Sequence, residues 1–177
     1  MKGMVILMKT VQQLVDKYYT SNDYNMLRDR TKKDYQYFLG VMCKEFGDVK
    51  YDELTSKQAK HAYEEWVGRG ISLANHICTV SSIVFRYAID MEYAKVNPFA
   101  SVRRKTPPQR KVVWTEGDVR QFLDTAYGQF EWRSLGLIVH MAYEWCQRLG
   151  DMRLLTWDNF DFANRKLSLE QSKRRSQ

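Results

Sequence analysis

The chain has 177 residues, and its apolar fraction of 44% is high enough for a hydrophobic core, which excludes a wholly disordered protein. No apolar run approaches the roughly 18 residues that span a bilayer, and the first eight residues lack a signal-peptide cleavage site, so we expect a cytoplasmic protein without membrane contacts. The three cysteines are widely spaced and form no Cys-x-x-Cys pair, which predicts free thiols, no zinc site and no cofactor.

The net charge is +7, from 28 basic and 21 acidic side chains, and it is unevenly distributed. Residues 1–110 contain 18 basic and 12 acidic side chains, whereas residues 111–177 contain 10 and 9. This asymmetry favours two modules, the first of which faces a polyanion. The charge alone is also compatible with a basic surface that binds nothing anionic.

After a leader over residues 1–9, apolar residues at helical spacing predict a first module over residues 10–100. Its four helices are expected at residues 10–19, 27–46, 55–67 and 72–93. Thr10 and Thr55 are typical N-cap residues, and glycines follow the second and third helices. The first module is therefore expected to be a four-helix domain.

One face of the fourth predicted helix carries short hydrogen-bonding side chains where a solvated face would be rich in lysine and glutamate. Such side chains allow a helix to approach a DNA groove and to contact phosphates and base edges. The alternative is a face of small residues that packs against another helix or is simply exposed. The candidate DNA contacts on this face are Ser72, Asn75, His76, Thr79, Ser82 and Arg86.

Basic residues also cluster near the start of the second predicted helix, where Arg28, Lys32 and Lys33 are candidate phosphate contacts. Taken alone, they favour a solvated charged turn over a binding site. A third basic cluster lies in the segment over residues 101–112, which predicts a linker because Pro107 and Pro108 cannot continue a helix. The linker's candidate DNA contacts are Arg103, Arg104 and Lys105.

The second module is expected over residues 113–177. A helix capped by Thr115 should run to about residue 126, followed by an apolar helix over residues 132–145 and a short helix within residues 147–157. Alternating residues over 159–173 predict a β-hairpin around Ala163 and Asn164.

Nearly the whole chain resembles the amino-terminal portion of the tyrosine recombinases, the phage-integrase family. The resemblance is carried by Thr31 and Tyr35 in the second helix, by the stretch Val84–Pro98, by the segment Trp114–Leu123 and above all by Arg148–Asp161. This last segment resembles the family's first active-site box: an arginine, an acidic residue three positions later, an apolar run, then Trp-Asp-x-x-Asp. The resemblance implies a mainly α-helical fold, in which a four-helix, SAM-like core-binding domain precedes a truncated α+β catalytic domain with a small β-hairpin.

The resemblance also implies roles for individual residues. Arg148 matches the first catalytic arginine, whose guanidinium can hold two phosphate oxygens and stabilise a pentacovalent transition state. Asp151 matches the acidic position and is expected to orient the arginine. Lys173 matches the hairpin lysine, the general acid that protonates the leaving 5′ oxygen. The alternative for Lys173 is a basic tail shared with Arg174 and Arg175.

The family's nucleophilic tyrosine and its His-x-x-Arg pair have no counterpart after Lys173, and the last tyrosine of the chain is Tyr143. We therefore expect a protein of site-specific DNA recombination that clamps duplex DNA, alone or beside other protomers, but cannot cleave it alone. Two alternatives stay open: a DNA-binding accessory or competitor protein without chemistry, and a helical module for protein–protein contact.

Overall fold

The computed structural model describes residues 9–109 and 111–169, and it is mainly helical with a small two-stranded antiparallel sheet. The chain divides into two compact units, Met1–Gln109 (unit 1) and Arg110–Gln177 (unit 2). Within the described ranges, helices are too short or too polar to cross a membrane. The fold class predicted from the sequence, helical first and then helical with a hairpin, is confirmed.

Unit 1 is built from helices whose starts are fixed by side-chain caps. Thr10 and Thr55 accept hydrogen bonds from the backbone N–H groups of Gln13 and Gln58, whose side chains accept in return from the cap residues. The helices are α1 (Val11–Tyr19), α2 (Asn22–Asn25), α3 (Asp29–Phe46), α4 (Ser56–Arg69) and α5 (Ile71–Asp90).

The structure differs from the predicted four helices at two points. The short helix α2, capped by Ser21, was not expected, because four residues are too few to show a periodic pattern. The last predicted helix ends at Asp90 and not at residue 93, since Glu92 adopts a left-handed φ of 59° and the N–H of Tyr93 donates to Ala88 O at 2.8 Å.

A single residue, Gly70, separates α4 from α5. Its φ of 140° and ψ of 129° are inaccessible to residues with a Cβ, so the sharp reversal between the two helices requires glycine. The reversal lets α4 and α5 pack side by side, and α5 carries many of the candidate DNA contacts.

The core of unit 1 extends beyond its last helix. Phe99 is 1% exposed, and its ring lies 6.4 Å from that of Trp66, nearly parallel, and 5.7 Å from that of Phe85. Val102 is 8% exposed. The first residues of the predicted linker are therefore packed into unit 1.

Unit 2 contains α6 (Glu116–Gly128), α7 (Arg133–Glu144), α8 (Leu149–Met152) and the strands β1 (Phe160–Asp161) and β2 (Lys166–Leu167). The strands pair antiparallel, with Phe160 opposite Leu167, which agrees with the predicted hairpin within the described residues. Gly136 lets α6 and α7 approach closely, because a Cβ there would lie 3.0 Å from the Cβ of Ala126.

The described part of unit 2 has a much smaller core than unit 1. Along α7, Gly136 is the buried residue, and Leu135 and Leu137 are about half exposed. Trp157 and Phe162 are 77% and 71% exposed. The apolar side of α7 and the aromatic residues around the hairpin are thus open to solvent in this structure.

Candidate nucleic-acid interface and active-site arginine

Arg148 is the N-cap residue of α8, with an extended φ of −68° and ψ of 134°. Its guanidinium Nη1 lies 4.0 Å from Asp151 Oδ2, one helical turn later. The two side chains differ sharply in exposure, at 54% for Arg148 and 4% for Asp151. A buried carboxylate therefore lies against a guanidinium that solvent and ligands can reach.

The turn before Arg148 carries backbone strain. Cys146 has a φ of 50°, a left-handed conformation that costs a residue with a Cβ about 1–2 kcal/mol. The Trp145 N–H donates to Met141 O at 3.0 Å and closes α7, after which Cys146 reverses the chain. Three residues separate the end of α7 from Arg148, which lies at the start of α8.

The arrangement at α8 is suited to binding a phosphate. A guanidinium offers parallel N–H donors that match two phosphate oxygens. The Asp151 carboxylate, 4.0 Å away, is an ion-pair partner for the Arg148 guanidinium on its buried side. Lys173, the predicted partner of Arg148 in catalysis, lies outside the described residues, so its position relative to Arg148 stays a prediction.

The polar face of α5 is divided between intramolecular contacts and exposed side chains. The Asn75 side chain bonds to Tyr63 and Lys105, Thr79 Oγ1 donates to Asn75 O at 2.7 Å, and Ser82 accepts from Asn97 Nδ2 at 2.9 Å. The bonds of Asn75 and Ser82 join neighbouring segments of unit 1 to the helix, whereas the bond of Thr79 stays within α5. Part of the predicted DNA-contact face therefore has a structural role in the DNA-free chain.

The other candidates on α5 point to solvent. Ser72, His76 and Arg86 are exposed, and the His76 ring stacks on Phe38 with the ring centroids 5.2 Å apart. They lie along the 20-residue helix at positions that a groove or a phosphate backbone could reach. Their contact with DNA stays a prediction.

The basic residues at the start of α3 lie close together in the structure. Arg28 is the N-cap residue of α3 and Lys33 is exposed, whereas Lys32 is half-buried and its carbonyl accepts from Tyr24 Oη at 3.5 Å. Because α3 begins here, these cations adjoin the positive end of the helix dipole, which favours binding of an anion.

The first residues of the linker contact the helices of unit 1. Arg103 and Arg104 are exposed, and the Arg104 guanidinium lies beside the Cys78 thiol on α5. Burial raises the pKa of the Cys78 thiol, and Arg104 opposes part of this rise. Lys105 is also exposed but forms an ion pair with Glu64 of α4. Arg104 and Lys105 thus bridge from the linker to α5 and α4.

Tyr63 and Glu64 hold the linker in place, although neither is among the site residues expected from the sequence. The Lys105 N–H donates to Tyr63 Oη at 2.7 Å across 42 positions of sequence. Tyr63 shares helical spacing with Ala59 and Trp66, a pattern that indicates a core residue and gives no sign of a polar contact. Within residues 9–109 and 111–169, clusters of His, Cys, Asp and Glu that could hold a metal ion are absent.

The sequence matches no protein-family model and no curated protein. Solved structures do match. A lambda integrase tetramer bound to a Holliday junction superposes with a TM-score of 0.82 and 22% identity, covering 93% of this chain and 46% of that one. A lambda integrase dimer bound to a COC′ core site gives a TM-score of 0.81 at the same identity and coverage.

A second integrase has the same architecture. The Tn1549 transposon integrase in complex with circular intermediate DNA gives a TM-score of 0.73 and 21% identity, covering 89% of this chain and 52% of that one. The chain thus spans about half the length of the integrases that it matches. At the level of fold, the resemblance to tyrosine recombinases found in the sequence is confirmed: this chain folds like the corresponding part of these integrases.

Proposed function

We propose that this chain is the DNA-clamping and first active-site portion of a tyrosine recombinase that acts in site-specific DNA recombination. The observation that carries the proposal is the position of Arg148. In a fold shared with integrases solved on DNA, the arginine of the active-site box starts a helix, half exposed, against the buried carboxylate of Asp151.

Each unit has a distinct part in the proposed clamp. Residues 10–100 form the helical DNA-binding domain, residues 101–112 the linker, and residues 113–177 the amino-terminal part of the catalytic domain. The proposed partners are duplex DNA and further recombinase protomers, since lambda integrase has been solved as a dimer and a tetramer on DNA. Basic side chains along the start of α3, α5 and the linker supply the phosphate contacts.

In the proposed chemistry, Arg148 binds two non-bridging oxygens of the scissile phosphate and stabilises the negative charge that accumulates in the transition state. Asp151 acts through Arg148, holding its guanidinium in the binding direction. When the nucleophilic tyrosine of a recombinase forms a bond to the phosphorus, the bond to the 5′ oxygen breaks, and Lys173 is the proposed general acid that would protonate this leaving oxygen. No cofactor enters this scheme, because the protein groups supply both the charge stabilisation and the proton.

Substituting Arg148 tests the site directly. Arg148→Ala is expected to weaken binding to a duplex carrying a recombination site by roughly 10- to 100-fold, the loss of a charge-assisted bidentate phosphate contact of about 1.5–3 kcal/mol. Binding is measured by fluorescence anisotropy with a labelled duplex. The control is Arg120→Ala, which removes the same charge from an exposed residue of unit 2 paired with Glu116. Equal affinity losses in the two variants would show that Arg148 has no special contact.

The 177 residues are expected to bind DNA without cleaving it, because no tyrosine follows Arg148 in the sequence. Incubation with a radiolabelled suicide duplex, which traps a covalent intermediate, should give no labelled protein band on a denaturing gel. A band that resists SDS and disappears on proteinase digestion would contradict this prediction. Binding without an adduct is also the behaviour of an accessory or competitor protein, whereas failure to bind any duplex would favour a protein-contact module.

A further inference from the structure

The linker is held to unit 1 through the backbone of one residue. The Lys105 N–H donates to Tyr63 Oη at 2.7 Å, and the Lys105 carbonyl accepts from Asn75 Nδ2 at 2.9 Å. Tyr63 Oη in turn donates to Asn75 Oδ1 at 2.7 Å. These bonds form a closed ring that joins α4, α5 and the linker, and we call it the Tyr63–Asn75 clip.

The clip satisfies both backbone polar groups of Lys105 with side chains, as a neighbouring strand would do. Tyr63 is 1% exposed, so its ring is fixed in the core and its hydroxyl is held at one point of the surface. Glu64, the next residue of α4, pairs with the Lys105 ammonium. Lys105 is therefore anchored by its backbone and by its side chain.

A second anchor lies just upstream. Val102 is 8% exposed and belongs to the core cluster of unit 1, next to the buried Phe99. Arg103 and Arg104 therefore lie between two fixed residues, Val102 and Lys105, and both are exposed. The backbone between the anchors has little freedom left, so these two cations are held at fixed positions, with the Arg104 guanidinium beside the Cys78 thiol of α5.

Preorganised cations bind a polyanion more tightly than mobile ones, because the entropy of ordering the linker has been lost before binding. An untethered linker rich in proline and arginine would have to be ordered at the moment of binding. The Lys105 ammonium, in contrast, is neutralised by Glu64, which suits an anchor better than a phosphate contact.

We propose that Tyr63 is a positioning residue for DNA binding, whose hydroxyl, together with Asn75, holds the linker so that Arg103 and Arg104 meet the phosphate backbone of duplex DNA beside α5. This inference rests on the proposed DNA-binding function. It assigns to Lys105 the role of an anchor and to the two arginines the role of the linker's phosphate contacts.

The test is a double-mutant cycle on the full 177-residue chain. Tyr63→Phe keeps the ring but removes the hydroxyl, and it should weaken binding to a 30-base-pair duplex about five- to tenfold. Arg103→Gln with Arg104→Gln should lower the slope of log affinity against log salt by about 1.8, for two phosphates. In the variant that lacks Arg103 and Arg104, Tyr63→Phe should weaken DNA binding less than about 1.5-fold, because the two side chains that the clip positions have been removed.

Tyr18→Phe is the matched control, since Tyr18 is 2% exposed in the same core but lies far from the linker in sequence. It should leave DNA affinity unchanged while reporting the stability cost of losing a buried hydroxyl. If Tyr63→Phe does not fold, Asn75→Ala removes the side-chain bonds to Tyr63 and to the Lys105 carbonyl, and it replaces Tyr63→Phe in the same double-mutant cycle.

The outcomes separate the inference from the function. If the fold-losses in affinity from Tyr63→Phe and from the two arginine substitutions simply multiply, the positioning role is overturned. Unchanged DNA affinity in Tyr63→Phe would also overturn it. In both cases the wild-type chain would still bind DNA. A wild-type chain that binds no duplex at any salt concentration would overturn both.

Discussion

Replacing Phe99 with alanine is expected to lower the free energy of unfolding of unit 1 by about 3–5 kcal/mol, the usual cost of deleting a fully buried aromatic side chain. Phe99 is 1% exposed and lies among the rings of Phe46, Trp66 and Phe85, at centroid distances of 6.5, 6.4 and 5.7 Å. The cavity cannot close easily, because these rings come from three different helices.

A second reason for a large effect is that Phe99 connects the end of α5 to the linker. The Phe99 N–H donates to Asn97 Oδ1 at 3.0 Å, and the amide of Asn97 donates to the carbonyl and hydroxyl of Ser82 at 2.9 Å. Loss of the ring leaves this loop without its apolar anchor. We therefore expect hydrogen exchange to increase at α5 and at residues 98–105 together.

Hydrogen exchange followed by mass spectrometry measures the decrease in the free energy of unfolding separately for each unit. Phe162→Ala is the matched control, since the same atoms are removed from a ring that is 71% exposed, and its cost should stay within about 0.5 kcal/mol. A loss below about 1 kcal/mol in Phe99→Ala would mean that the residues after α5 are not part of the core.

Local sequence signals were sufficient for most helices of unit 1. Thr10 and Thr55 both cap helices as expected, and each also forms a capping box with the glutamine three residues later. The end of α5 was misplaced because the left-handed residue that terminates it is Glu92 and not a glycine. A non-glycine residue at such a position is uncommon, so composition gives no warning of it.

The candidate site was less predictable than the fold, because its polar residues find partners far away in sequence. Periodicity correctly grouped Asn75, Thr79 and Ser82 on one side of α5, but it could not reveal that the linker returns to that side. The hydrogen bond between Asn75 and Lys105 spans 30 residues. Arg148 stays a predicted site residue, singled out because its neighbours in sequence form a recognisable box, and the burial of Asp151 beside it could be seen only in the structure.

Raising the salt concentration is expected to weaken duplex binding about 1,000-fold between 50 and 200 mM, if about six phosphates are neutralised. Each neutralised phosphate releases about 0.9 of a condensed counterion, which gives a slope near −5 in log affinity against log salt. Six exposed or half-buried cations of unit 1 are candidates for these contacts: Arg28, Lys32, Lys33, Arg86, Arg103 and Arg104. The measurement is an anisotropy titration at several potassium chloride concentrations.

Net charge alone would also produce some salt dependence, so position must be separated from charge. Lys33→Gln with Arg86→Gln should reduce the slope by about 1.8, because both residues are proposed phosphate contacts. Lys17→Gln with Lys44→Gln removes the same charge from exposed sites, and Lys44 lies in the last turn of α3, at the opposite end of that 18-residue helix from Lys33. Equal slopes of log affinity against log salt in the two double variants would mean that DNA is attracted by the overall charge. A reduced slope confined to the Lys33 and Arg86 variant requires a defined interface formed by α3 and α5.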